Sequence, residues 1–152
     1  LEALNVIKKY RVVFPIHPRA KNQLEKLNYP REKLSNFLII DPLQHQEILH
    51  LISNARLVVT DSGGLQKEVF WAKVPCITLR DITAWSETVD LGVNFLTETD
   101  KKKIIGTIKY IDKNHDRIKK MFIKIKDPYH KPQTAEKTIA LIKKFYYRHH
   151  SK

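Results

Sequence analysis

The most chemically specific segment of the chain is Thr60-Asp61-Ser62-Gly63-Gly64-Leu65-Gln66-Lys67-Glu68. The apolar run Leu57-Val58-Val59-Thr60 leads into it, so the pattern reads as a strand that ends and a helix that opens on a hydroxyl and two glycines. A helix start presents unpaired backbone N–H groups and the positive end of its dipole, and glycine leaves room for an anion to approach them. Ser62 adds a hydroxyl donor suited to a phosphate. Glu68 lies four residues past Gly64 on the same helical face, where it can accept hydrogen bonds from ribose hydroxyls. The same residues suit an ordinary capped helix with a glycine turn equally well.

Two further polar segments follow apolar runs. In Phe14-Pro15-Ile16-His17-Pro18-Arg19, His17 falls at the carboxyl end of a strand, the edge where open α/β sheets bind ligands. Its imidazole can donate to a diphosphate with Arg19 nearby, or it is simply a loop histidine between two prolines. In Leu79-Arg80-Asp81-Ile82-Thr83-Ala84-Trp85-Ser86-Glu87, Arg80 and Trp85 are candidate phosphate or sugar contacts. Arg80 can equally pair with Asp81, and Trp85 can equally cover core. The single cysteine, Cys76, lies inside an apolar run and reads as inert core. No metal site is expected, because the histidines lack the helical pairing with a carboxylate that zinc requires.

These segments are positioned by five apolar runs, beginning at Val12, Phe37, Leu57, Pro75 and Val93. Most are continuous and β-branched, as expected of parallel strands covered on both faces, and helical stripes at 47–52 and 65–72 separate them. Strand, helix, strand at this spacing predicts an α/β, doubly wound, Rossmann-like domain. Residues 1–10 read as a helix running into the first strand, 103–111 and 117–125 as helices, and 134–147 as a final helix capped by Gln133 or Thr134. The 152 residues are expected to form one domain.

The formal net charge is +12, and residues 101–152, with 16 basic and 4 acidic side chains, account for the whole excess. That distribution reads as a solvated helical surface, and nucleic-acid binding is not expected because stacking motifs are absent. No apolar run approaches the ~20 residues that span a bilayer, and a cytoplasmic protein is expected.

The order of these motifs resembles the non-hydrolysing UDP-N-acetylglucosamine 2-epimerases. The resemblance rests on 60–68, Lys73-Val74-Pro75, Leu79-Arg80-Asp81, the Phe14-Pro15-Ile16-His17-Pro18 segment, Asp41-Pro42-Leu43 and Glu87-Thr88-Val89-Asp90-Leu91-Gly92. It covers roughly residues 4–145 and implies the carboxyl-terminal half of a glycosyltransferase-B-like fold, two Rossmann-like halves with a UDP-sugar between them. The implied enzyme is an isomerase of nucleotide-sugar metabolism serving cell-surface polysaccharide. It interconverts UDP-GlcNAc and UDP-ManNAc by eliminating UDP and adding it back at C2, with no cofactor. Carried over residue by residue, Ser62, Gly63 and Gly64 hold the diphosphate, and His17 reaches it as the catalytic histidine of this half. Glu68 holds the ribose, and the segment from Leu43 to Ile48 walls the uracil.

The resemblance also sets expectations about what is lacking. The family's acid and base carboxylates lie in an amino-terminal half that this sequence does not contain, so the chain alone is expected to be catalytically incomplete and to need that half or a complementing chain. The first strand of the present half is absent as well. In a 3-2-1-4-5-6 sheet it would sit between the runs at Val12 and Leu57. Its gap is expected to close by direct pairing, rearrangement or another copy of the chain, and a homo-oligomer is expected. Ala84-Trp85 departs from the family's commoner acidic pattern and resembles relatives acting on other UDP-acetamido sugars. A UDP-sugar glycosyltransferase half and a non-catalytic basic binding module are the remaining alternatives.

Overall fold

The computed structural model describes residues 1–130 and 132–150, without the side chains of Arg31, His149 and His150; Lys131 and the last two residues lie outside that description. Each expected apolar run forms a short strand: β1 (Val12–Pro15), β2 (Phe37–Ile40), β3 (Val58–Thr60), β4 (Cys76–Thr78) and β5 (Asn94–Leu96). Before, between and after them lie α1 (Glu2–Asn5), α2 (Pro18–Lys26), α3 (His45–Asn54), α4 (Gly63–Trp71), α5 (Ser86–Asp90), α6 (Lys101–Lys113), α7 (His115–Lys124) and α8 (Thr134–His150). All strand pairs are parallel, and the crossovers β1-α2-β2, β3-α4-β4 and β4-α5-β5 give the α/β architecture expected.

The strands form two sheets, β1-β2 and β3-β4-β5, and no backbone pairing joins β1 to β3. The gap expected between Val12 and Leu57 is therefore not closed by direct pairing. The backbone explains why. Val12 and Ile16 donate to the Asn36 and Ile40 carbonyls, so the alternate residues Val13 and Pro15 face the free side of β1. Proline has no N–H to offer there, which makes that edge a poor partner for β3. On the other side of the gap, Val58 donates to Pro75 and Thr60 accepts from Leu79, leaving Val59 on the free edge of β3.

Coverage also differs from the sequence expectation of strands buried on both faces. β4 is buried at every position, but Val13, Leu38 and Ile39 of the first sheet are each 41% exposed. The main core instead gathers Phe70, Ile77 and Val93 with Ile104, Ile108 and Ile111 of α6 and Ile118 and Phe122 of α7. A second cluster, Ile52, Val69, Val74 and Cys76, fixes α3 and α4 beside β4. Burial pushes the Cys76 thiol up to about 12, so it is unreactive packing.

The amino-terminal helix is shorter than expected, ending at Asn5. Lys9 and Tyr10 reach instead to Asp112 on α6, Lys9 Nζ at 2.7 Å, while Ala3 is buried against the core. α8 is longer than expected at its carboxyl end, and the Gln133 carbonyl accepts its first intrahelical bond from Lys137. No helix among the described residues is long and apolar enough to cross a membrane.

Candidate functional site

The carboxyl end of β3 turns directly into α4. The Thr60 hydroxyl accepts the Ser62 N–H at 3.0 Å and tightens the turn. Ser62 is the N-cap: its Oγ accepts from Leu65 N at 3.4 Å, and its carbonyl accepts from Gln66 N at 3.3 Å. Among the described residues, the Gly63 and Gly64 amides are the donors of the first turn that remain without a partner. A Cβ added at either glycine would meet no atom within 4 Å. The chain's own packing therefore does not demand glycine at either position, and open space lies beside both.

Glu68 lies one turn along α4, with a side chain 27% exposed, and accepts from or pairs with His45 Nε2 at 2.9 Å. His45 opens α3, whose amino end is fastened by a capping box between Gln44 and Glu47. Leu43 precedes that helix and lines a shallow hollow with Ile40, Gln46 and His50. Ile48 turns the other way, into the cluster that holds α3 against α4.

Trp85 joins this region from the loop after β4. Its indole Nε1 donates to the Gly63 carbonyl at 2.6 Å. Its ring is one of three, with Trp71 and Tyr129, that surround Lys67 Nζ at 4.6–5.0 Å from their centroids. Arg80 is exposed on the same loop, and the expected partner Asp81 accepts instead from Ile82 N. His17 caps α2 at the end of β1, with Nδ1 accepting from Arg19 N at 3.2 Å. With Nδ1 taken by that bond, Nε2 is the ring nitrogen that faces outward to meet a ligand. Ser62, Gly63, Glu68 and Trp85 are thus joined through one helix. His17 stands on the corresponding carboxyl edge of the other sheet, across the gap.

Beneath the helix start is a network of side chains that sequence reasoning missed. Buried Gln66 donates to the Ser62 carbonyl and accepts from the Thr83 hydroxyl (2.6 Å) and Asn94 Nδ2 (3.2 Å). Asn94 also binds the hydroxyls of Thr78 and Thr88, and Thr88 donates to the Trp85 carbonyl. The available signal was Asn94 itself, an amide inside the apolar run Val93-Asn94-Phe95-Leu96. The pairing of His45 with Glu68 was also missed, because nothing local in sequence shows that α3 begins beside Glu68.

The family model described as UDP-N-acetylglucosamine 2-epimerase matches residues 1–143. The chain belongs to this family. A UDP-N-acetylglucosamine 2-epimerase of Methanocaldococcus jannaschii is 46% identical over 99 residues, 64% of this chain and 27% of the relative. A UDP-2,3-diacetamido-2,3-dideoxy-D-glucuronate 2-epimerase of Pseudomonas aeruginosa is 40% identical over 107 residues, 69% of this chain and 29% of the relative. The crystal structure of the M. jannaschii UDP-GlcNAc 2-epimerase in complex with UDP-GlcNAc and UDP superposes with a TM-score of 0.69 at 34% identity, covering 93% of this chain and 41% of that one. This member of the epimerase family therefore spans under a third of these two curated relatives and about two fifths of the solved chain. Its α/β fold is that of a Rossmann-like half.

Proposed function

We propose that this chain is the UDP-binding unit of a UDP-N-acetylglucosamine 2-epimerase. The observation that carries the reading is the start of α4: two unpartnered amides on glycines with open space beside them, Ser62 at the cap and Glu68 one turn away. A diphosphate set there gains the N–H groups and the helix dipole, which stabilise negative charge as it grows on a departing UDP. Glu68 holds the ribose hydroxyls, sharing its carboxylate with His45. Leu43 and the start of α3 wall the base. His17 donates from Nε2 to the diphosphate across the gap between the sheets, and Arg80 adds positive charge on the far rim.

Inversion at C2 requires proton transfers at the sugar, and the carboxylates for them come, by the family resemblance, from the amino-terminal half of the fold. This chain alone binds UDP without turnover. Its cytoplasmic location and its assembly as a homo-oligomer are part of the same proposal. A second reading concerns the sugar. Ala84-Trp85 and the similarity to the P. aeruginosa relative favour an epimerase of another UDP-acetamido sugar.

Isothermal calorimetry with UDP tests the site. The expected result is saturable binding that Ser62→Asp abolishes by placing a carboxylate on the phosphate, with Glu68→Ala weakening it by about tenfold. A folded wild-type chain that shows no heat with millimolar UDP refutes the proposal.

A further inference from the structure

The Gln66 network does more than fill the space under α4. Gln66 is 1% exposed, and Asn94, Thr78 and Thr88 are all buried with it. Buried amides and hydroxyls are expensive unless every group is paired, and an apolar core would avoid the demand entirely. Here the pairing runs to one place. The Gln66 side chain donates to the Ser62 carbonyl at 3.3 Å, and the Trp85 indole donates to the Gly63 carbonyl at 2.6 Å. The Ser62 and Gly63 carbonyls, each in one rigid peptide plane with the N–H of the following glycine and pointing opposite to it, are therefore both held by side-chain N–H donors. What holds those donors is equally specific. The Thr83 hydroxyl donates to Gln66 Oε1 at 2.6 Å and accepts the Trp85 backbone N–H at 3.1 Å, so one oxygen couples the two latches. Asn94 on β5 ties Gln66 to Thr78 and Thr88, anchoring the pair to the sheet.

We propose that Gln66 and Thr83 are positioning residues that set the direction of the Gly63 and Gly64 amides, and so tune the site for the diphosphate rather than the nucleoside. They touch no ligand themselves. This inference rests on the proposed UDP site, but its first consequence is visible without any ligand.

The test uses Thr83→Val, which keeps the shape of threonine and removes the hydroxyl, beside Thr83→Ser, which restores it. Gln66→Met is a second variant of similar volume. In the ligand-free protein, the amide resonances of Gly63 and Gly64 are expected to move in Thr83→Val and Gln66→Met and to return close to wild type in Thr83→Ser. With ligands, Thr83→Val is expected to lose about tenfold in affinity for UDP while uridine affinity changes less than about twofold. Unmoved glycine amides in a folded Thr83→Val protein overturn the inference. An equal loss for UDP and uridine also overturns it, because that is a general structural defect. If the amides move as expected but the wild type binds no UDP, the positioning stands and the functional reading fails. Should Gln66→Met not fold, the paired threonine variants decide alone.

Discussion

Asp112 fastens the beginning of the chain to α6. Its carboxylate receives Lys9 Nζ, the Tyr10 hydroxyl and Arg56, and these hold it down at about 2, well below the usual carboxylate range. A carboxyl depressed in the folded state contributes stability that is present above its unfolded value and lost as pH falls through the folded one. Melting temperature is therefore expected to fall between about pH 4 and pH 2, and Asp112→Asn should flatten that segment of the profile. Lys67 makes a different kind of contact, its ammonium ringed by Trp71, Trp85 and Tyr129. Lys67→Met should lower unfolding stability by about 1 kcal/mol in denaturant titrations, through lost cation–π attraction. Local sequence showed Ser62, Gly63, Gly64 and Glu68 because a strand end, a cap and a helical turn lie within nine consecutive residues. It could not show the Lys67 cage or the His45–Glu68 pair, whose members come from separate elements brought together only by folding.

At the scale of elements, α4 is the part on which the site depends, and its ends differ. The start is fixed by Ser62 and the buried amides. The far end turns through Lys73 at φ +58°, with Lys73 and Val74 donating to the Phe70 and Val69 carbonyls. A lysine in that left-handed conformation is strained, so Lys73→Gly is expected to raise stability by about 0.5–1 kcal/mol in denaturant unfolding, the Lys119 bond being to a backbone carbonyl that glycine keeps. The strands were legible because each lies in a short apolar run, most of them β-branched. The amino-terminal helix was overextended because apolar spacing alone cannot reveal that Lys9 and Tyr10 are drawn out of the helix by Asp112, a hundred positions downstream.

The molecule carries two parallel sheets, and no backbone pairing joins β1 to β3. The sequence indicated where the break between strands falls, between the runs at Val12 and Leu57, but not that β1 and β3 stay unpaired, because that turns on which side of β1 Pro15 presents. Hydrogen exchange tests this directly: the Val13 and Val59 amides should exchange much faster than those of Phe14 and Ile77, which face strand partners. Slow exchange at Val13 and Val59 would contradict it, meaning that β1 and β3 pair in solution or that another copy of the chain covers these edges.

The central claim is that the start of α4 is a nucleotide diphosphate site. Titrating UDP into the isotope-labelled chain, with amide resonances followed residue by residue, tests it most directly. The account predicts the largest shifts at Gly63, Gly64 and Glu68, saturating together, with smaller shifts at His17 and His45. Shifts confined to the basic helices of residues 101–150, or none at all in a folded sample, would contradict it.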